Sequence, residues 1–245
     1  MNSSKETFLS IIIPAYNEEK RIPLTLKKIS EFLKTKDFLY EIIIIDDGSQ
    51  DATSKIVEEF SKDKYNELRL IRLDKNYGKG FAVRKGVLCS AGKYVLVTDA
   101  DLSTPIEELE KLLKVSEQGF DVVIGTRGLD KSLLKVHRPW YREKMGKIFN
   151  LLVQLFVIRG INDTQCGFKL FSRRAISIFK KNRIDDFSYD VEVLYIAKKY
   201  GYKIKEVPVI WIDSPYSKVK LYKDPFKMFI SLLLIRINDA MGYYD

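Results

Sequence analysis

An α/β fold, a mostly parallel sheet with helices on both faces, is what this chain predicts, on three observations. Short apolar runs alternate with amphipathic stretches without interruption to about residue 127. The run Glu41-Ile42-Ile43-Ile44-Ile45 is apolar at every position after its glutamate, the composition of a strand buried on both faces. Each run ends in a polar loop, and parallel strands place such loops along one edge of the sheet, where open α/β sheets bind ligands.

Phe8–Ile13 reads as the first strand, closed by Pro14, and Glu18 to Lys34 as a helix with Ile22, Leu24, Leu26, Ile29 and Leu33 on its apolar side. The isoleucine run is the second strand, turned by Asp46-Asp47-Gly48-Ser49, and Asp51–Phe60 is the helix that follows. Leu68–Leu73 is a third strand and Gly78–Ser90 a third helix. Tyr94–Val97 is a fourth strand, bounded by Gly92 and Pro105. Pro105–Gln118 is a helix with Glu107, Glu108 and Glu110 in its first turn, as the helix dipole prefers. Asp121–Gly125 is a fifth strand.

Beyond it the rhythm breaks. Thr126–Lys147 is turn-rich and holds seven Lys/Arg against Asp130 and Glu143. Tyr141–Ile158 reads as a helix, Gly160–Arg173 as a loop and strand, and Ser188–Tyr200 as a helix capped by Ser188. Lys203–Ile212 contains Pro208, which suits an edge or bulged strand, and Pro225–Ile237 is a last helix, apolar almost all round. No linker divides the chain. A single domain over 1–245 is expected, with an α/β half over 8–127 and a basic, helical half over 128–237.

Charge supports that division. Lys and Arg number 42 against 33 Asp and Glu in the 245 residues, for a net +9. Residues 1–105 carry 17 basic and 16 acidic groups, whereas residues 106–245 carry 25 and 17. A basic second half suits phosphates, lipid head groups or nucleic acid. A nucleic-acid partner is not expected, because neither a stacked-aromatic nor a recognition-helix signature is present, but a non-catalytic module that binds an anionic surface or nucleic acid is the alternative of another class. Cys89, Cys166 and His137 are too few for a disulfide scaffold or a Cys/His zinc site and fit a reducing compartment. Residues 1–7 are polar, and Leu151–Ile158 and Met228–Ile235 fall short of the roughly 20 residues of a membrane span. Neither a signal peptide nor a span is expected.

The loops carry the chemistry. Asp99 and Asp101 follow the fourth strand, and strand alternation would point both to one side. Two hard oxygen donors there suit Mg²⁺ or Mn²⁺, which keeps its other positions for water and substrate phosphates. The alternatives are that Asp101 caps the helix near Pro105 and that Asp99 pairs with a lysine. Carboxylates after the first two strands can accept bonds from a base or ribose, and Tyr16 can stack on a base. Gly78 and Gly80 allow close backbone approach, with Lys79 and Arg84 available for phosphates. The Walker phosphate loop and the Gly-x-Gly-x-x-Gly fingerprint after the first strand are both absent. A nucleotide sugar fits this set.

Ile13-Pro14-Ala15-Tyr16-Asn17-Glu18, Asp46-Asp47-Gly48-Ser49, Gly78-Lys79-Gly80 and Asp99-Ala100-Asp101 together resemble the family 2 inverting glycosyltransferases, which have the GT-A fold. Asp163-Thr164-Gln165-Cys166-Gly167-Phe168-Lys169-Leu170-Phe171 resembles their polyprenol-phosphate branch, with further matches at Tyr189-Asp190-Val191-Glu192, Glu206-Val207-Pro208-Val209 and Ser217-Lys218. The likeness is first to the dolichyl-phosphate glucosyltransferases and next to the dolichyl-phosphate mannose synthases. The glucosyltransferases usually carry an N-terminal membrane anchor, and none is expected here.

The resemblance implies that Pro14, Tyr16, Glu18 and one or both of Asp46 and Asp47 hold the nucleoside. It places Asp99 near ribose or sugar and Asp101 on the metal, with Asp99 as the second candidate ligand. Arg127, Arg138 and Lys218 would face the diphosphate and the acceptor phosphate, and Gln165 and Lys169 the sugar or acceptor side. The implied donor is UDP-glucose or GDP-mannose, and the acceptor a polyprenyl or dolichyl phosphate. A phosphate monoester with a second pKa of about 6 is already ionised at neutral pH and needs no general base. Asp190 and Glu192 are therefore either a base kept from hydroxyl-using relatives or acids favoured by a helix N-terminus. The apolar helices with Lys144, Lys147, Lys223, Lys227 and Arg236 at their margins suit an interfacial pair on the cytoplasmic face of a membrane. Core packing and a homodimer interface are the alternatives for those faces.

Overall fold

The computed structural model describes residues 6–64, 67–127, 140–212 and 224–245. Seven strands form one sheet: β1 (Leu9–Ala15), β2 (Tyr40–Asp46), β3 (Leu68–Arg72), β4 (Tyr94–Val97), β5 (Val122–Thr126), β6 (Lys169–Ser172) and β7 (Ile204–Pro208). Their order is β3-β2-β1-β4-β6-β5-β7. The helices are α1 (Ile22–Leu33), α2 (Thr53–Lys64), α3 (Lys79–Leu88), α4 (Leu109–Ser116), α5 (Trp140–Phe156), α6 (Tyr189–Lys199) and α7 (Asp224–Ala240).

The apolar runs become the sheet's interior. Ile42 through Ile45, Ile11 to Ile13, Val95, Leu96, Val122 to Ile124 and Leu170 are all fully buried. β1 pairs in parallel with β2 and β4, β2 with β3, and β5 with β7. β6 runs antiparallel between β4 and β5. Two reversals restore the direction, so β5 is parallel to β4 and the carboxyl ends of β1 to β5 share one edge. β6 starts at that same edge, with Lys169 in register with Val97 and Ile124. The loop before β6 therefore joins the five loops expected there.

Several boundaries differ from the sequence reading, each for a local reason. Pro14 stays inside β1, opposite Ile45, rather than closing the strand. α1 starts at Ile22, not Glu18, because the preceding residues bond the loop after β2; Leu24, expected on the apolar side of the helix, is 57% exposed. The helix after Pro105 opens as a 3₁₀ turn over Ile106–Glu108 before α4. Ser188 does not cap α6 with its side chain; Asp186 accepts the Ser188 N–H instead at 2.7 Å. A 3₁₀ segment over Arg173–Lys180 follows β6 and buries Ala175, Ile176, Ile178 and Phe179. β7 is an edge strand ending at Pro208, as the missing donor requires.

α5 and α7 divide their apolar residues between two environments. Val153, Leu232 and Ile235 are buried, whereas Ile148, Leu151, Leu155, Phe156, Leu233 and Ile237 are exposed. Phe156 meets Phe229 edge to face at 6.4 Å. Among the described residues no helix is long and apolar enough to cross a membrane.

Candidate active site

The loops after β1 and β2 are fastened to each other. Asn17 N–H donates to Ser49 Oγ (2.8 Å), Glu18 N–H to Thr53 Oγ1 (2.7 Å) and Gln50 N–H to Asn17 Oδ1 (2.8 Å). Asn17 takes a left-handed backbone with φ of 52°, a conformation asparagine tolerates better than most residues. A cavity of about 470 Å³ opens there, lined by Asn17, Glu18, Lys20, Arg21, Gln50 and Asp51. Pro14 and Tyr16 stand half-buried where β1 ends.

The three acids expected on the nucleoside each bond groups of their own chain. Asp46 is fully buried and accepts Ser49 N–H (2.8 Å) and the Ser54 hydroxyl. Asp47 accepts Tyr77 N–H (2.8 Å) and Gly78 N–H (2.9 Å), tying the second loop to the third. Burial pushes its carboxyl pKa up against those two bonds. Glu18 grips Arg21 with both oxygens, at 2.5 Å each. For Asp46 and Asp47 the reason is shared: loops that must converge need their backbone donors satisfied, and buried carboxylates do that.

The glycine turn before α3 is also seated rather than open. Gly80 N–H donates to the Asp185 carbonyl at 2.7 Å, and Phe81 N–H reaches the same oxygen at 3.4 Å. A Cβ on Gly78 (φ 107°) would strike that carbonyl. With the N–H groups of residues 77, 78, 80 and 81 used, the backbone offers little to a phosphate. Arg84, expected on phosphate, instead pairs with Asp185 at 2.7 Å and bonds the Asn182 carbonyl at 3.2 Å. Lys79 does enter the site: its ammonium lies 2.6 Å from Asp99 Oδ1.

Asp99 and Asp101 follow β4, but strand geometry stops at Val97. Leu102 N–H bonds the Asp99 carbonyl (3.2 Å), and Leu102 sits at φ 46°, an uncommon conformation for leucine. Asp101 Oδ1 accepts the Ser103 N–H (3.1 Å) and hydroxyl (3.0 Å), and Oδ2 lies 3.3 Å from Arg21 Nη1. The two carboxylates are thus brought together by a turn, not by alternation. Asp99 does pair with a lysine, while Asp101 closes its own turn rather than capping the helix near Pro105. Burial raises the Asp101 pKa, and the neighbouring Asp99 charge adds to it. Burial works the same way on Asp99, yet Lys79, helped by Lys169 and Arg127, holds it below the usual carboxylate range.

Beneath Asp99 lies the loop before β6. The three atoms nearest to a Cβ built on Gly167 all belong to the Asp99 carboxyl group. Gly167→Ala should displace that carboxylate from Lys79 and lower activity on the order of tenfold, with the melting temperature unchanged. Side-by-side activity and thermal-melt measurements check this. Arg127 grips Asp163 with Nε and Nη2, both at 2.7 Å, so the fork expected on phosphates is taken. Lys169 is buried and bonds Asp190 and the Cys166 carbonyl, both at 2.5 Å. Burial pushes the Cys166 thiol up to about 11. The Gln165 side chain is half-buried, and Arg138 and Lys218 lie outside the described residues.

Glu192 is fully buried, with Oε2 accepting Arg183 N–H (2.9 Å), Ile184 N–H (2.8 Å) and the Asn182 amide. Oε1 accepts the Tyr244 hydroxyl at 2.6 Å. Asp190 is held in its ion pair with Lys169, and Glu192 in a cage of four donors. Arg21 was the residue missed; the Glu18-x-x-Arg21 spacing at a helix start was its only signal.

Charges around the site fall into two groups. Lys79, Lys169 and Arg127 balance Asp99, Asp163 and Asp190. Arg21 stands between Glu18 and Asp101 and pairs with both. The Asp101 carboxylate beside Asp99 offers the hard oxygen donors that suit a divalent cation. Among the described residues no group of three His, Cys, Asp or Glu is placed to hold a metal, so its remaining positions would go to water and substrate oxygens.

The family model described as Glycosyl transferase family 2 matches residues 10–179. The chain is 38% identical over 255 residues to the dolichyl-phosphate beta-glucosyltransferase of Dictyostelium discoideum, covering 99% of this chain and 78% of that one. It is 36% identical over 249 residues to the Homo sapiens protein of the same name, covering 96% and 76%. Its fold is similar to that of glucosyl-3-phosphoglycerate synthase from Mycobacterium tuberculosis in complex with Mn²⁺, UDP and glucosyl-3-phosphoglycerate. The TM-score is 0.68 at 16% identity, over 95% of this chain and 79% of that one.

Proposed function

The chain belongs to glycosyl transferase family 2, and on that premise we propose that it transfers glucose from UDP-glucose to dolichyl phosphate. The transfer inverts the anomeric centre, uses Mg²⁺ or Mn²⁺ and takes place at the cytoplasmic face of a membrane. The observation that carries this reading is the end of β4. Asp99 sits on the Lys79 ammonium, and Asp101 beside it is held by Ser103 and Arg21. An uncharged hexose suits the first environment and a cation the second. The name of the curated relatives supports glucose over mannose and a dolichyl-phosphate acceptor.

In this mechanism the nucleoside occupies the cavity between the first two loops, with Tyr16 as its stacking face. Asp101, seconded by Asp99, would hold the metal, which would supply charge neutralisation for the leaving diphosphate. Lys79 fixes the Asp99 carboxylate. The acceptor phosphate, already ionised, attacks without a base, which agrees with Asp190 and Glu192 being buried and bonded. Cations of the second half, with Arg138 and Lys218 as candidates, bring the two anions together. A panel of nucleotide sugars with a short polyprenyl phosphate and Mg²⁺ or Mn²⁺, with products recovered by lipid extraction, tests the reading. UDP-glucose should label the lipid phosphate. Labelling by GDP-mannose alone would transfer the assignment to mannose, and labelling of a hydroxyl acceptor alone would remove the lipid phosphate.

The exposed residues of α5 and α7 supply the membrane face. The protein should pellet with anionic vesicles and be released by high salt or alkaline pH. Leu151→Glu with Leu233→Glu should weaken pelleting, since each places a charge where apolar surface meets lipid. A dimer in solution that ignores vesicles would make the same face an interface between copies.

A further inference from the structure

Glu192 belongs to a chain of contacts that ends at Asp99. Its carboxylate gathers the backbone of residues 183 and 184 and the Asn182 amide. The next carbonyl, that of Asp185, accepts Gly80 N–H at 2.7 Å and thereby seats the turn that presents Lys79 to Asp99. On its other side Glu192 is held by Tyr244, which is fully buried, follows α7 and donates its hydroxyl at 2.6 Å. α7 touches the same loop a second time, where the Ser231 hydroxyl meets Asp186 Oδ2 at 3.0 Å. A Cβ on Gly80 would strike the Ile184 carbonyl and the Tyr189 side chain, so turn and loop fit with no slack.

We propose that Glu192 and Tyr244 are positioning residues of the donor site: they brace the 182–187 loop that seats the Gly78–Gly80 turn, and so hold Lys79 on Asp99. A carboxylate surrounded by four donors has nothing left to offer a substrate. Its use is to fix the loop, and through it the position of an ammonium two contacts away. The carboxyl side of the sheet is thereby joined to the residues that follow α7.

The activity arm of the test rests on the glucosyl-transfer reading; the exchange arm does not. Amide hydrogen exchange is followed in the wild type, Tyr244→Phe, Glu192→Ala and Glu192→Gln. Tyr244→Phe and Glu192→Ala should speed exchange at 78–82 and 182–185 on the order of tenfold or more, with β1 and β2 unchanged. Glu192→Gln should keep protection and turnover within a few-fold, because its amide oxygen can accept the backbone N–H groups while its NH₂ donates to the Tyr244 oxygen. In a double-mutant cycle, Tyr244→Phe should slow transfer on the order of tenfold alone but about twofold or less on a Lys79→Ala background. A merely structural loss would be additive. If Tyr244→Phe does not fold, Asn182→Ser takes its place with the same expectation. Unchanged exchange at 78–82, additivity in the cycle, or a Glu192→Gln as inactive as Glu192→Ala with protection intact would each overturn the proposal. A wild type that transfers no glucose would instead strike the functional reading and leave the exchange arm to decide.

Discussion

Asp101→Asn is expected to fold as the wild type does and to lose transfer by on the order of 10²–10³-fold, the scale of removing one preorganised charge-stabilising group. The turn should survive, because an amide oxygen can still accept the Ser103 N–H and hydroxyl that Asp101 Oδ1 accepts at 3.1 and 3.0 Å. The ligand should not survive, because a neutral amide is a poorer donor to Mg²⁺ or Mn²⁺ than a carboxylate. Losing the charge relieves the cost of its burial and its repulsion with Asp99 but gives up the pairing with Arg21, so thermal stability should stay near that of the wild type. Chelation of the wild type should match the variant's loss and add little to the variant itself. Full activity in Asp101→Asn with chelator present would remove the metal from Asp101.

The sheet was legible because its signal is local. The isoleucines of β2 are buried on both faces, and such strands need no partner information to be read. The antiparallel β6 was harder. Nothing in Lys169-Leu170-Phe171 states a direction; that comes from the strands on either side. The same holds for α1, whose start is set by bonds from its leading loop to the loop after β2. Periodicity alone carries the helix back to Glu18 and sets Leu24 on its apolar side.

The positions of the site were legible, and the duties of its residues less so. A carboxylate after a strand reads the same whether it meets a ligand or its own chain's N–H groups. Asp46, Asp47 and Glu18 satisfy donors of their own chain, a duty that only the folded geometry reveals. Arg127 and Arg84 follow the same logic: their partners, Asp163 and Asp185, are distant in sequence. Lys79 and Asp99 were each named as site residues, and their pairing links two strand ends that the sequence separates by a whole helix.

Asp190→Ala is expected to produce the largest loss of stability, about 3–5 kcal/mol, because it leaves the Lys169 ammonium buried without its counter-charge. The two side chains are 2% and 5% exposed and meet at 2.5 Å, so water cannot make up the loss. For a domain of this size, at about 2–4 °C per kcal/mol, the melting temperature should fall by about 6–20 °C. Asp190→Asn should cost less, since an amide oxygen can still accept from Lys169. Lys169→Met combined with Asp190→Leu should recover much of the loss, as replacing both partners of a buried pair by apolar residues often does. Urea midpoints at constant slope measure all three. Activity separates the remaining roles: an ionised phosphate acceptor needs no base, so Asp190→Asn should keep most turnover at a temperature where it is folded. A stable but inactive Asp190→Asn would make Asp190 a base for a hydroxyl acceptor, and the family membership would stand while the lipid-phosphate assignment fell.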